Sequence, residues 1–262
     1  MNLRWSAAIV LASAIGMSQP LLAGQMQCNA RSPDHSVALI ELFTSEGCDS
    51  CPPADRWLSK LNRGGLGRNA VALAMHVDYW DRLGWHDRFS SAAFTQRQQH
   101  EAAMQRTGLV YTPQVVVQGK SYENWSAVND PGVAFAQINA RPARARIELG
   151  AVPTNGSAKV DLVVEIGDPK DRADAVVTVA LIQSGLVSEV KAGENAGKRL
   201  EHDRVVREWR TGIQVDGKGR VDTHLNFVLP ADAGPLALIA FAENSRTGDV
   251  LQALELPLCA AQ

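Results

Sequence analysis

Val37-Ala38-Leu39-Ile40-Glu41-Leu42-Phe43, followed by Thr44-Ser45-Glu46-Gly47-Cys48-Asp49-Ser50-Cys51-Pro52-Pro53, decides how this chain is read. The first seven residues are almost continuously apolar, the pattern of a strand buried on both faces. Further on, Ala54, Trp57, Leu58 and Leu61 fall at i, i+3, i+4 and i+7, one face of a helix that Gly64-Gly65 ends. Pro52 and Pro53 fit that helix's first turn, whose N–H groups have no intrahelical partner, so the helix starts near Ser50 or Cys51. Cys48 and Cys51 therefore sit at a helix N-terminus, where unpaired N–H groups and the positive dipole end stabilise a thiolate on the first cysteine. Asp49 and Glu46 act against it, because nearby negative charge disfavours a thiolate. In this reading Cys48 is the exposed nucleophile and Cys51 the resolving thiol.

Outward from this motif the pattern stays mixed up to Ala140. A second strand is expected over Val71–Val77, then a turn-rich aromatic stretch, Asp78–Arg88. A polar helix follows from about Ser90 to Arg106 and stops at Gly108. Val115–Val117 reads as a strand approached through Thr112-Pro113, and Asp130-Pro131 opens a last helix reaching Ile138. Strands alternating with helices predict an α/β layer structure. Beyond Asn139-Ala140-Arg141-Pro142 aromatic residues thin out. Seven short strands are expected there: Ile147–Val152, Val160–Ile166, Val176–Gln183, Arg204–Trp209, Val221–Leu229, Leu236–Ala242 and Val250–Leu256. That spacing suggests an antiparallel sandwich-like domain. The expected organisation is residues 1–23 as a signal peptide, 24–140 as one domain and 141–262 as the second.

The signal-peptide reading rests on Arg4, the uncharged run Ala7–Met17, Pro20 and the small Ala23. About eleven apolar residues are too few for the roughly 20 that span a bilayer. No later stretch approaches that length, so no membrane span is expected after signal removal. The whole chain of 262 residues is 45% hydrophobic and 21% charged, which excludes a disordered or coiled-coil reading. Its net charge of −2 offers no footprint for a phosphate backbone, so nucleic acid is not an expected partner.

Export permits disulfides among Cys28, Cys48, Cys51 and Cys259. Cys28 and Cys259, near the two ends of the mature chain, are expected to form a structural disulfide, leaving Cys48 and Cys51 as a pair. Two other readings of that pair stay open. It could be a permanently oxidised clip, or it could hold copper or zinc with His76, Asp78 or His86; no second C-x-x-C or H-x-x-x-H exists to complete a structural zinc site. Glu201-His202-Asp203-Arg204 has no nucleophile motif beside it and reads as a salt-bridged hairpin or a docking surface. If His202 or Arg207 reaches the redox face, the second domain helps to choose the partner.

A strand, a C-x-x-C opening a helix, and a later Thr-Pro leading into a Val-rich strand resemble the thioredoxin-like superfamily. The resemblance implies that Cys48 attacks, that Cys51 resolves, and that Pro113, preceded by Thr112, is a cis-proline beside the pair where an extended substrate can bind. More specifically, the chain is similar to an uncharacterised family of secreted bacterial proteins, a domain of unknown function with a thioredoxin-like first half. That likeness rests on Glu41–Cys48, His76–Asp81 with Gly84-Trp85, Tyr111–Gln114, Glu194–Gly197, His202-Asp203 and Val205–Arg207. Two departures matter. Gly47 stands where a tryptophan is usual, and the acid of the preceding strand falls on Leu42, with Glu41 one residue off and facing the other way.

The resulting expectation is an α/β thioredoxin-like domain followed by an all-β sandwich-like domain. Its expected function is that of an exported, periplasmic or secreted, thiol–disulfide oxidoreductase. Cys48 and Cys51 are the expected catalytic pair, Thr112, Pro113, Trp80 and Trp85 are expected to bind substrate, and Tyr79 joins the two tryptophans in an aromatic rim. Partners are protein thiols or disulfides of the exported compartment, and no cofactor or metal is assigned. The alternatives are a non-catalytic thioredoxin-like protein-binding module and a periplasmic copper-handling protein.

Overall fold

The computed structural model describes residues 27–64, 69–127, 131–232 and 234–259; the expected signal peptide, Gly65 and Asp130 lie outside them. The elements run β1 (Cys28–Arg31), β2 (Ala38–Thr44), α1 (Pro52–Arg63), β3 (Ala70–His76), α2 (Ala92–Met104), β4 (Gln114–Val117), β5 (Lys120–Ser121) and α3 (Gly132–Asn139). They continue with β6 (Arg146–Thr154), β7 (Ser157–Glu165), β8 (Ala175–Gln183), β9 (Leu186–Glu189), β10 (Arg199–His202), β11 (Val205–Gln214), β12 (Arg220–Val228), β13 (Leu236–Asn244) and β14 (Val250–Pro257).

Three sheets collect these strands. A mixed eight-stranded sheet has the order β14-β13-β8-β11-β3-β2-β4-β5, a four-stranded sheet has the order β1-β6-β7-β12, and β9 pairs with β10 in a two-stranded ribbon. Within the large sheet β2 and β3 are parallel, while β4 runs antiparallel to β2. Strands from both sides of residue 140 share that sheet. The join is a parallel bridge between Val205 of β11 and Ala74 of β3, where Ala74 N–H donates to Arg204 O at 2.8 Å. The Arg204 guanidinium reinforces it by donating to Ala72 O at 3.1 Å while pairing with Glu255 of β14.

This architecture overturns the expected α/β thioredoxin-like domain followed by a sandwich-like domain. Of the described residues 44% are strand and 19% helix, and large mixed and antiparallel sheets dominate. The physical reason lies in the outer edge of β3. An apolar run reports burial on both faces but not which strand lies alongside, and here that partner is β11, from the far half of the chain.

Strand alternation then divides the core. Ala38, Ile40 and Leu42 of β2, Ala70, Ala72 and Ala74 of β3, and Val115 and Val117 of β4 pack under Ala54 and Leu58 of α1 and Phe135 and Ile138 of α3. On the opposite face Leu39, Phe43, Leu73 and Met75 meet Phe94 of α2, together with Ile182, Ile239 and Phe241. The large sheet curls enough for its far end to meet β2. Gln252 Oε1 of β14 accepts from Val37 N–H at 2.9 Å, and Gln118 Nε2 donates to Val250 O at 3.1 Å. A third core lies between the four-stranded sheet and β8, β13 and β14, with Ile147, Leu149, Leu162, Phe227, Val179 and Leu238 at its centre. Each such fully buried Leu, Ile, Val or Phe side chain contributes roughly 1.5–3 kcal/mol.

Glu41, which points away from α1, ends in a buried ionic cluster. Arg97 of α2 reaches Glu41 at 3.0 Å, Glu101 at 2.7 Å and Glu243 of β13 at 2.5 Å. Burial, with Glu41 adding to it and Arg97 opposing it, pushes the Glu101 carboxyl up to about 8.

Cys28 of β1 is joined to Cys259 just past β14, tying the edge of the four-stranded sheet to the edge of the large one across a sequence separation of 231. Closing so long a ring restricts the unfolded chain, with a nominal ceiling of ~5 kcal/mol. Replacing both cysteines by serine is expected to lower the unfolding free energy by about 2–5 kcal/mol in urea titrations. An unchanged denaturation midpoint would refute that structural role.

Candidate functional site

The site lies at the carboxyl ends of the parallel pair β2 and β3, where Thr44 and His76 stand side by side in register. From Thr44 the chain turns through Ser45–Ser50 into α1. Cys51 is the N-cap residue of α1, with Pro52 and Pro53 in the first turn, and its carbonyl accepts from Ala54 and Asp55 N–H. Cys48 and Cys51 form a disulfide, and both residues are 0% exposed. Cys48 Sγ is 3.3 Å from Ser50 Oγ.

Beneath this loop lies a buried polar cluster. Alternation along β3 sends Ala72, Ala74 and therefore His76 toward the α1 side. His76 Nδ1 is 2.6 Å from Asp87 Oδ2, and the same oxygen accepts from Glu46 N–H at 2.9 Å. Asp87 Oδ1 accepts from Phe89 N–H at 2.9 Å. Burial alone would raise the Asp87 carboxyl, yet the His76 charge and these hydrogen bonds bring it down to about 2. Burial would lower His76, but Asp87 raises it above its ordinary value.

Glu46 is fully buried. One of its carboxylate oxygens accepts from Trp85 Nε1 at 2.7 Å, and the other is 3.3 Å from His202 Nε2. Burial acts to raise the Glu46 carboxyl, and the favourable interactions of His202, Ser188 and Trp85 with it prevail, so the group is held below its usual value. The His202 ring meets the His76 ring edge to face at 5.0 Å, with Phe89 against both.

His202 and Ser188 come from the β9–β10 ribbon, whose connecting loop reaches the cysteine loop. Asn195, 0% exposed, donates through Nδ2 to Glu46 O and to Cys48 O, both at 2.8 Å. Lys198 Nζ fixes the amide's other end at 2.8 Å, and Glu194 Oε2 accepts from Asp49 N–H at 3.1 Å. Gly193 holds φ +73° where a Cβ would lie 3.3 Å from Trp85 Cβ, so a larger residue there is strained and crowded.

The remaining candidates surround the loop at varied distance. Trp80 lies beside Gly47, whose added Cβ would lie 3.2 Å from Trp80 Cβ, and Trp80 Nε1 donates to Thr112 Oγ1 at 2.8 Å. The Thr112–Pro113 peptide is cis. Trp85 reaches the loop through Glu46, whereas Tyr79 turns to Gln98 of α2. Arg207 bonds Gln183 and Asp232 and lies over the Phe89 ring. The metal-ligand candidates do not converge: Asp78 accepts from the Thr95 hydroxyl, His86 is exposed beside Asp81, and both cysteines are tied to each other. Among the described residues no group of three His, Cys, Asp or Glu is arranged to hold a metal ion. Asp55, Asp87 and Ser188 carry no sequence signal that marks them for this site, and Asn195 appears only within the Glu194–Gly197 stretch of the family likeness, with no role assigned. Asp55 lies one helical turn from Cys51; the others reach the site by long-range contacts.

Residues 39–241, which include both loop cysteines, Asn195 and His202, match the family described as "Protein of unknown function (DUF1223)". The chain belongs to this family. Protein AGR_C_4864 from Agrobacterium tumefaciens has a similar crystal structure, with a TM-score of 0.58 and 25% identity over 88% of this chain and 98% of that one. HBP35 of Porphyromonas gingivalis resembles the fold with a TM-score of 0.60 at 15% identity, over 88% of this chain and 78% of that one. No curated protein matches the sequence.

The His76–Asp87 pair makes the site's stability depend on pH. A histidine raised by folding contributes stability fully below its unfolded value of about 6.5 and loses it as pH rises through the folded value. A depressed aspartate contributes above its unfolded value of about 3.9 and loses it as pH falls toward the folded value of about 2. Asp87→Asn is therefore expected to cost about 3 kcal/mol between roughly pH 4 and 6.5, with the deficit shrinking outside that window. Urea unfolding of both proteins from pH 2 to 9 reads this out; a constant deficit would contradict the ion pair.

Proposed function

We propose that this DUF1223 protein is an exported thiol–disulfide oxidoreductase in which Cys48 and Cys51 are the redox pair. The observation that carries this reading is the disulfide immediately before α1, with Cys51 at the helix N-cap position above a buried group of carboxyls and imidazoles. A helix N-terminus stabilises a thiolate released there, which eases both attack and departure of sulfur. Cys48 exchanges with a partner through a mixed disulfide that Cys51 resolves. Trp80, Trp85, Thr112 and Pro113 are the proposed substrate surface, and the exposed Leu83, Leu109 and Val110 suit a polypeptide partner carrying a thiol or disulfide. Export is supported by the basic, apolar and small residues of the first 23 positions. Two disulfides fit a non-cytoplasmic protein, and no helix among the described residues is long and apolar enough to cross a membrane.

One observation favours a second reading, a non-catalytic protein-binding module with a permanently oxidised clip: neither loop cysteine is exposed. Exchange therefore requires the cysteine loop, to which Asn195 is bonded, to open. Cys51→Ala separates the two readings. Expressed with its native leader, this variant is expected to accumulate covalent adducts that disappear on reduction and are absent from the Cys48→Ser, Cys51→Ala double variant. No adduct in either protein supports the clip.

A further inference from the structure

Arg207 has no part in the redox reading, and it stands at a second concave site. A cavity of about 420 Å³ opens between β11 and the segment that leads into α2. Its walls bring together Arg88 and Phe89 of that segment, Phe94 of α2, and Arg207, Glu208 and Trp209 of β11. Such a volume lies within the range of small-ligand sites, roughly 300–1,000 Å³. Among the described residues, none of the cysteine loop lines it.

The walls are of two kinds. Phe94 and Trp209 meet edge to face at 6.2 Å and make an aromatic side. The guanidiniums of Arg88 and Arg207 lie 4.4 and 5.4 Å from the centre of the Phe89 ring. Asp232 Oδ2 serves both, at 3.3 Å from Arg88 Nη1 and 3.4 Å from Arg207 Nη1. Glu208, the acid of the cavity wall, is taken up by Arg210 and by Val228 N–H. Two guanidiniums thus share one carboxylate, which leaves one positive charge uncompensated among the described residues. Arg207 bonds Gln183 and Asp232 through Nη1, and its Nε and Nη2 have no acceptor among the described residues. Its side chain is 22% exposed, and neither nitrogen is enclosed without a partner. Nε and Nη2 form the parallel donor pair that matches the two oxygens of a carboxylate.

We propose that this cavity binds an organic monoanion in which a carboxylate is joined to an aromatic or aliphatic group. The carboxylate lies along the Nε–Nη2 edge of Arg207 with the Arg88 charge beside it, and the apolar group lies against Phe94 and Trp209. One uncompensated charge matches a carboxylate, whereas a phosphate dianion brings one negative charge too many. Gln183 and Asp232 hold Arg207 in place before a ligand arrives, so little side-chain freedom is lost on binding. Two sources carry this chemistry: a free aromatic or aliphatic acid, and the C-terminus of a polypeptide that ends in an apolar residue.

The test follows the Trp209 indole N–H by two-dimensional NMR, assigned with Trp209→Phe, as phenylacetate is added to the protein. The expected result is a saturable shift in the millimolar range or below, which phenylacetamide, similar in shape but uncharged, does not produce. Arg207→Gln is expected to weaken phenylacetate binding about tenfold or more. No saturable shift with phenylacetate, equal affinity for phenylacetamide, or tighter binding of inorganic phosphate overturns the proposal. These comparisons use the unaltered protein, so they decide even where Arg207→Gln fails to fold. A folded Arg207→Gln protein that binds phenylacetate as wild type does also overturns it. A peptide ending in a free phenylalanine carboxylate, set against its C-terminal amide, separates the two sources. Binding of the free-acid peptide that is tighter than that of phenylacetate and lost in the amide assigns the site to a polypeptide terminus. Equal or weaker binding of that peptide assigns it to a free acid.

Discussion

One carboxylate, Asp87, holds the site together. Its two oxygens bind the His76 imidazole at the end of β3, the Glu46 N–H in the cysteine loop and the Phe89 N–H ahead of α2. A buried carboxylate must be paired and hydrogen-bonded to persist in a water-poor interior, and Asp87 meets that demand by drawing three segments to one point. The cysteine loop consequently has a fixed origin, and α1 starts at a fixed distance from the ends of β2 and β3. Glu46 repeats the device one layer outward with Trp85 and His202.

The second half of the chain completes this arrangement. Between β8 and β11 the backbone leaves the large sheet as the β9–β10 ribbon, brings Ser188 and His202 against Glu46, and sets Asn195 onto the carbonyls of Glu46 and Cys48. The cysteine loop is thus held by residues from both halves of the family match. Both loop cysteines are buried as folded, and the Asn195 loop itself holds the cysteine loop by the hydrogen bonds of a single amide together with the Glu194 contact to Asp49. Each neutral hydrogen bond is worth only about 1 kcal/mol net, so the hold of the Asn195 loop on the cysteine loop is modest compared with the cores beneath it.

Local patterns made much of the secondary structure legible, and the sheets did not follow from them. The apolar run before Thr44, the helical spacing of Ala54, Leu58 and Leu61, and the Val-rich stretches after residue 146 all mark elements that form. Their sorting into an α/β layer and a separate sandwich fails at Ala74, whose neighbour Val205 no local signal could name. Glu201-His202-Asp203-Arg204 reads as a salt-bridged hairpin or a docking surface, but the two strands of the ribbon are not marked by the pattern, for another reason. Leu186, Ser188, Leu200 and His202 alternate with exposed residues, but four-residue strands of mixed polarity are too short to stand out from a polar loop. In the site, the cysteine pair and its helix were readable because spacing alone fixes them. His76 was readable by alternation with Ala72 and Ala74, whereas Asn195 stands in a stretch that carries the family likeness but its contact with the cysteine loop is supplied only by the folded chain.

The account stands on reversible exchange at the Cys48–Cys51 bond, and equilibrium titration in glutathione buffers measures it most directly. Protein is equilibrated over a wide range of reduced to oxidised glutathione, alkylated, and digested to count free thiols at these two positions. The account predicts a single two-electron transition in which Cys48 and Cys51 become free together while Cys28 and Cys259 stay joined. A Cys48–Cys51 bond that stays intact at every ratio in the folded protein would contradict it.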